Sequence, residues 1–231
     1  DRKFFSNILP TGYGKTLSAL RIALDSCAKE KTSRIIYVAP YLSILSQASQ
    51  ETTMATGTEV MTHHHLSILQ EQEIDDAWYL AMESWQSPIV ATTYNQFFRA
   101  IFPYRAQQSM RLKALRNSFV IIDEPQIIDW GVWQTFLYQL SSVAAELNMK
   151  VLFTTATMPP LNSPLDVIPL APRIEPRPSR YKVTVLQGGC SEDIVAQMAM
   201  ERLHQKGSVA VIMNTIKDAA LVYKIVKSKY N

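Results

Sequence analysis

The sequence predicts an α/β fold in which a parallel β-sheet is flanked by helices on both faces. Two observations carry this. Short, continuously apolar runs rich in β-branched residues recur along the chain, and stretches of helical period separate them. Strands buried on both faces lose the apolar/polar alternation of half-exposed ones, and parallel neighbours need a crossover that is usually a helix. A third observation, a GKT tripeptide between the first run and the first helix, places a candidate site at the strand ends.

The elements follow in order. A strand is predicted over 3–9, a Gly-containing loop after it, and a helix over 16–29. RIIYVA at 34–39 is a strand stopped by Pro40, and 41–53 has helical spacing. PIVAT (88–92), FVIID (119–123) and VLFTT (151–155) are further buried strands, separated by helices over 93–102, 109–116 and 133–147. Seven prolines then fall within 159–180, a density that suppresses regular structure and reads as a linker or extended arm. Beyond it, YKVTVLQ (181–187) and SVAVIM (208–213) are predicted strands, and 192–204 and 217–229 predicted helices. The expected organisation is a first domain over 1–171, a linker over 172–180 and the opening of a second α/β domain over 181–231.

Bulk properties narrow the class. The 231 residues are 47% hydrophobic and carry a net charge of +3, enough for a proper core but short of a strongly basic nucleic-acid stripe. The two cysteines, Cys27 and Cys190, have no metal-ligand spacing and read as buried free thiols in a reducing cytoplasm. No apolar run approaches the ~20 residues of a membrane span. The first motif arrives almost at once, which suggests a fragment whose N-terminal part lies outside this sequence.

PTGYGKT, 10–16, matches the last three positions of GxxxxGK[ST], with Leu9 where the first glycine would stand. In this pattern the backbone N–H groups of Thr11, Gly12, Tyr13, Gly14 and Lys15 wrap a phosphate of ATP at a helix N-terminus. Lys15 reaches the β- and γ-phosphates, and the Thr16 hydroxyl ligates Mg²⁺. FVIIDEPQ supplies the complementary carboxylates at a strand end: Asp123 for Mg²⁺ and Glu124 to position and deprotonate the attacking water.

PTGYGKT, DEPQ and TTATMP (154–159) together resemble motifs I, II and III of superfamily 2 helicases. That resemblance implies a RecA-like domain followed by the start of a second one. It also implies that Thr155 and Thr157 couple nucleotide state to nucleic-acid binding. Gln126 stands where the family has His or Asp in motif II. VAPYLSILSQ (38–47), ATTYNQFF (91–98) and VIMNTIKDA (211–219) are similar to motifs Ia, Ib and IV of the CRISPR-associated helicase–nuclease of type I systems. The strand at 181–187 and the His63–His65 run also suit that family.

The resemblance implies a 3′ to 5′ single-stranded DNA translocase in a prokaryotic cytoplasm. Its partners there are an RNA-guided CRISPR surveillance complex and a His-Asp nuclease domain or subunit. By position, Pro40, Tyr41, Ser43, Gln47, Thr93, Gln96, Asn214 and Thr215 contact the strand. Motifs V and VI, with the arginine fingers, are absent from the sequence, so this part alone is expected to bind nucleotide and hydrolyse it slowly. Two alternatives stand beside this: another superfamily 2 motor acting on RNA or in restriction, and a non-catalytic P-loop assembly module.

Other features read as structural. Three adjacent histidines, His63 to His65, cannot all face one ion from regular structure. Trp78 and Trp85 lie two helical turns apart, and Trp130 and Trp133 have helical spacing; all read as core, with base stacking as the alternative. Arg111, Lys113 and Arg116 read as one solvated helix face, with a phosphate backbone as the alternative partner.

Overall fold

Strand carboxyl ends decide where this molecule can hold a ligand, and the computed structural model gathers seven of them at one edge. It describes residues 3–30, 32, 34–65, 76–161, 165–171, 183–185 and 187–230. Seven strands form one sheet: β1 (Phe4–Ile8), β2 (Arg34–Ala39), β3 (Met61–His63), β4 (Ile89–Thr93), β5 (Ser118–Asp123), β6 (Lys150–Thr155) and β7 (Val167–Pro169). Their order is β3-β4-β2-β5-β6-β1-β7, and every pairing is parallel.

The helices of this unit are α1 (Lys15–Glu30), α2 (Leu42–Thr56), α3 (Asp76–Glu83), α4 (Tyr94–Ile101), α5 (Ala106–Ser109), α6 (Leu112–Leu115) and α7 (Trp130–Glu146). Alternating strand residues sort the core into two layers. Ile35, Tyr37, Phe119, Ile121 and Leu152 meet α1 and α2 through Ala19, Leu20, Ala23, Leu45 and Ala48. On the other face Ile36, Val38, Val120, Ile122 and Phe153 meet Phe97, Leu115, Trp133, Leu137 and Leu140 of α4, α6 and α7. Small alanines on α1 let that helix lie close over β5 and β6.

The predicted strands 34–39, 88–92, 119–123 and 151–155 are all present within a residue or two. Two short edge strands were not expected. β3 has three residues, and β7 forms inside the proline-rich stretch, where Pro169 ends an edge strand and needs no ladder donor. Leu170 continues the register by donating to the Ser6 carbonyl at 2.8 Å. The helix predicted over 109–116 is instead two single turns, α5 and α6. Residues 172–180, the expected linker, lie outside the described residues.

Several side chains correct the sequence reading. Trp85 is core but not helical: α3 stops at Glu83, and Trp85 sits beyond it with φ 54°. Trp133 is buried whereas Trp130 is 56% exposed, because it opens α7 on the solvent side. Arg111 is only 3% exposed, not part of a solvated face. Cys27 is half-buried and Cys190 exposed, so neither is the buried thiol expected.

The chain divides into two compact units, Asp1–Glu175 and Pro176–Asn231. In the second, α8 (Glu192–Lys206) and α9 (Ile216–Tyr230) pack on one another, with Lys229 Nζ 3.0 Å from Asp193. The predicted strand 208–213 is not formed among the described residues; of the strand predicted over 181–187, residues 183–185 make no ladder, and Tyr181, Lys182 and Leu186 lie outside the described residues. A strand is stable only with a neighbour to pair with, and among the described residues these stretches have none. No helix of the described residues is long and apolar enough to cross a membrane.

Candidate nucleotide and nucleic-acid site

β1 delivers its chain into the loop 9–14 just before α1 begins, so the loop lies at a helix N-terminus. Leu9 occupies the usual first-glycine position without penalty, since its side chain is buried and its N–H donates to the Thr155 carbonyl at 3.1 Å. That amide belongs to the sheet, and within the stretch expected to wrap a phosphate, Thr11 to Lys15, the Tyr13 N–H donates to the Pro10 carbonyl at 3.3 Å. Gly12 and Gly14 have φ of 83° and 70°, and a Cβ on either would meet nothing within 4 Å. Their requirement is therefore conformational, set by the positive φ at both positions.

β6 separates β1 from β5, so its end lies between the loop and the acidic motif. Glu124, immediately after β5, adopts φ 52° and ψ 57°. This left-handed backbone is costly for a non-glycine residue, and such strain concentrates at functional sites. Its carboxylate is fixed on both oxygens. Lys15 Nζ lies 3.0 Å from Oε1, while Gln126 Nε2 donates to Oε2 at 2.7 Å and the Thr155 hydroxyl is 2.8 Å from it. Burial pushes the Glu124 carboxyl up, but the hydrogen bonds from Gln126, Lys15 and Thr155 outweigh it and hold it below the usual range. Thr155 also lies 2.8 Å from Gln126 Oε1 and accepts from the Thr157 N–H at 3.0 Å. Glu124, Gln126, Thr155 and Thr157 thus form one polar network, and Gln126 fills its place with both halves of its amide.

Asp123 is treated oppositely. It is 6% exposed, and burial pushes its pKa from 3.8 to about 6, with Glu124 adding to the rise and the Tyr37 hydrogen bond opposing it. The Tyr37 hydroxyl donates to Oδ2 at 2.7 Å, and the Thr16 hydroxyl interacts with the same phenol. Burial and the adjacent Asp123 in turn push the Tyr37 phenol well above its usual value. Asp123 and Thr16 converge as oxygen donors, the chemistry a Mg²⁺ ion accepts from a protein while its other ligands are water and phosphate. The donors present fit such an ion.

A folded-state pKa above the unfolded one means the native protein binds the extra proton, so stability falls as pH rises from about 4 through about 6. Asp123→Asn removes that ionisation cost at nearly constant shape. We expect thermal melts to show the variant more stable than the parent at pH 7.5, with the gap shrinking toward zero between pH 6 and pH 4. A gap independent of pH would show that the carboxylate carries no ionisation cost in the fold.

Beside this centre, past the ends of β2 and β4, lies a groove of about 660 Å³ walled by Pro40, Tyr41, Thr93, Tyr94, Gln96 and Arg99, with the turn after β5 and the start of α7 opposite. Four residues expected to contact nucleic acid are thereby brought together: Pro40, Tyr41, Thr93 and Gln96. Gln96 is only 7% exposed, and its side-chain Oε1 accepts from Arg111 at 2.9 Å. Ser43 and Gln47 lie on the exposed side of α2 outside the groove wall, and Gln47 donates to Glu51 at 2.8 Å. Asn214 and Thr215 belong to the second unit, where the Thr215 hydroxyl accepts from the Asp218 N–H at 3.1 Å and caps α9.

Sequence reasoning missed Tyr37, Tyr94 and Arg111. A signal existed for the first: a tyrosine inside the apolar run RIIYVA must find a partner for its hydroxyl when buried. His63 is buried with Nε2 3.5 Å from Glu83 Oε1, a structural place rather than a metal ligand.

Comparison with known proteins agrees with this geometry. A family model described as DEAD/DEAH box helicase matches residues 5–163. The CRISPR-associated nuclease/helicase Cas3 of Haloferax volcanii is 30% identical over 178 residues, covering 66% of this chain and 19% of that protein. The Mycobacterium smegmatis helicase Lhr, solved with ssDNA and AMP-PNP, superposes with a TM-score of 0.61 at 16% identity, over 98% of this chain and 32% of its own. The E. coli DExH-box NTPase HrpB gives 0.57 at 18% identity, over 100% and 27%. At such identities the superpositions establish the fold, RecA-like and α/β. The chain spans about a fifth of the length of the curated relative and about a third of the solved ones.

Proposed function

The chain belongs to the DEAD/DEAH box helicase family, and from that premise we propose that it is the nucleotide-binding part of an ATP-driven motor moving 3′ to 5′ on single-stranded DNA in CRISPR interference. The observation that carries the motor reading is Glu124. It is held ionised between Lys15 of the phosphate loop and the Gln126–Thr155–Thr157 network, within one sheet edge of a groove walled by Pro40, Tyr41, Thr93 and Gln96. In this reading Thr11 to Lys15 bind the phosphates, Lys15 balances their charge, and Glu124 orients the water and accepts its proton. Asp123 and Thr16 would hold a Mg²⁺ ion, which would supply charge neutralisation when bound. Thr155 and Thr157 couple the nucleotide to the strand.

The finer assignments rest on the Cas3 likeness: a surveillance complex and a His-Asp nuclease domain or subunit as partners, and a prokaryotic cytoplasm as the setting. Residues 1–171 form the first RecA-like domain and 172–180 the linker. The stretch 181–231 opens a second domain, in which Asn214 and Thr215 meet the strand. A complete second domain supplies the arginine fingers, which are worth roughly 10³–10⁵-fold in related systems, so residues 1–231 alone turn over slowly.

The test is ATP hydrolysis by the full-length protein with and without single-stranded DNA, beside Lys15→Ala. Turnover stimulated by DNA and abolished in the variant supports the reading. Stimulation by RNA alone redirects it to an RNA motor. Absence of both nucleotide binding and hydrolysis overturns it in favour of a P-loop assembly module.

A further inference from the structure

The peptide group joining Asp123 to Glu124 is clamped from both sides. Its N–H, on Glu124, donates to the Thr154 carbonyl of β6 at 2.9 Å. Its carbonyl, on Asp123, accepts from the Tyr94 hydroxyl at 2.8 Å. Tyr94 is the first residue of α4, directly after Thr93, and its hydroxyl reaches across β2 to β5. The same ring forms part of the groove wall, yet it is only 8% exposed. Phe98, one turn further along and also in the wall, lies against it at 6.1 Å between centroids, and Phe98 packs edge-on to Phe136 at 5.2 Å. Movement of the wall therefore has a stiff backing, and its polar link to the Asp123–Glu124 peptide is the Tyr94 hydroxyl.

We propose that Tyr94 is a positioning residue that couples strand occupancy of the groove to the geometry of Asp123 and Glu124. This rests on the motor reading given above. The physical route is short. A strand seated against the wall shifts the Tyr94 ring, and the hydroxyl carries that shift to the carbonyl of Asp123. Turning this peptide reorients both carboxylates at once, since one residue stands on each side of it. Glu124 already holds a left-handed backbone, φ 52°, so a small rotation relieves or deepens strain instead of being absorbed. Tyr37 bonds the Asp123 carboxylate from the opposite face of the sheet, so a turn of the peptide driven through Tyr94 changes the angle at which that carboxylate is presented.

Coupling of this kind is reciprocal: if the strand changes nucleotide affinity by a factor, nucleotide changes strand affinity by the same factor. The experiment measures that factor in the full-length protein as the ratio of single-stranded DNA Kd with and without AMP-PNP, by fluorescence anisotropy. Tyr94→Phe deletes one oxygen and keeps the ring. The ratio is expected to collapse toward 1 from a parent value in the usual range of about 5–150-fold, while Phe98→Leu, in the same wall without the hydrogen bond, shifts Kd and keeps the ratio. A purely structural Tyr94 would move both Kd values in parallel, and an unchanged ratio overturns the proposal, as does equal loss in Phe98→Leu. Should Tyr94→Phe not fold, 3-fluorotyrosine at position 94 keeps ring and hydroxyl with a stronger donor, and an unchanged ratio there overturns it equally. A parent ratio of 1 counts against the motor reading itself, which separates the two failures.

Discussion

Glu124→Gln in the full-length protein is expected to lower ATP turnover by about 10²–10⁴-fold, the usual range for a positioned general base, while nucleotide binding stays close to the parent's. The reason is the division of labour between two adjacent carboxyls. Asp123 is pushed up to about 6 by burial, whereas Glu124 is held below the usual range by Gln126, Lys15 and Thr155. At neutral pH Glu124 is the carboxylate held ionised, as the proposed proton acceptor must be, and three polar partners fix its direction. Glutamine keeps the size and can still accept from Thr155, but it cannot take a proton. Its loss of charge also frees Lys15, whose Nζ is 3.0 Å from Glu124, to turn fully to the phosphates. Affinity for a fluorescent ATP analogue, measured by titration, should therefore hold or improve as single-turnover hydrolysis falls. A turnover loss below about tenfold would place the base elsewhere.

Much of this site was legible because its parts lie at strand ends in short motifs. PTGYGKT joins the end of a strand to the start of a helix and FVIIDEPQ carries a strand and a turn, each with its candidate groups within about eight residues, so local pattern suffices. Buried strands were equally readable, since RIIYVA and FVIID are apolar but for one charged residue at an end. Illegible were the contacts that only the sheet order creates. Nothing local says that β2 will lie beside β5, and only that neighbourhood brings the Tyr37 hydroxyl to Asp123. β3 and β7 are three residues each, too short to declare a period. The strand expected at 208–213 fails for the converse reason, since local β propensity forms no ladder without a partner among the described residues.

Arg111 shows the same limit most sharply, and its removal should have the largest effect on stability. Arg111→Ala is expected to destabilise the fold by about 3–5 kcal/mol, the cost typical of breaking a buried ion pair from one side. Charged residues near Lys113 and Arg116 suggest a wet surface. Instead the guanidinium donates through Nε to the Glu83 carbonyl at 3.2 Å and through one terminal nitrogen to Gln96 Oε1 at 2.9 Å. It pairs through the other terminal nitrogen with the Glu83 carboxylate and lies 5.5 Å from the centre of the Trp85 ring. Burial pushes the Glu83 carboxyl up, but His63 and Arg111 outweigh that and hold it below 4.5. A depressed carboxyl stabilises the fold above its unfolded pKa, and that contribution is lost as pH falls through the folded value. Urea unfolding should accordingly show the full deficit of Arg111→Ala at pH 7 and a smaller one below pH 4. Replacing both partners, as Glu83→Gln with Arg111→Met, leaves no orphaned charge and should recover much of the loss. Equal destabilisation of the single and double variants would show that packing against Trp85, not charge, is what Arg111 contributes. Either way Gln96 loses its anchor, so strand affinity at a temperature where the variant remains folded should fall with it, linking a buried cation to the wall of the groove.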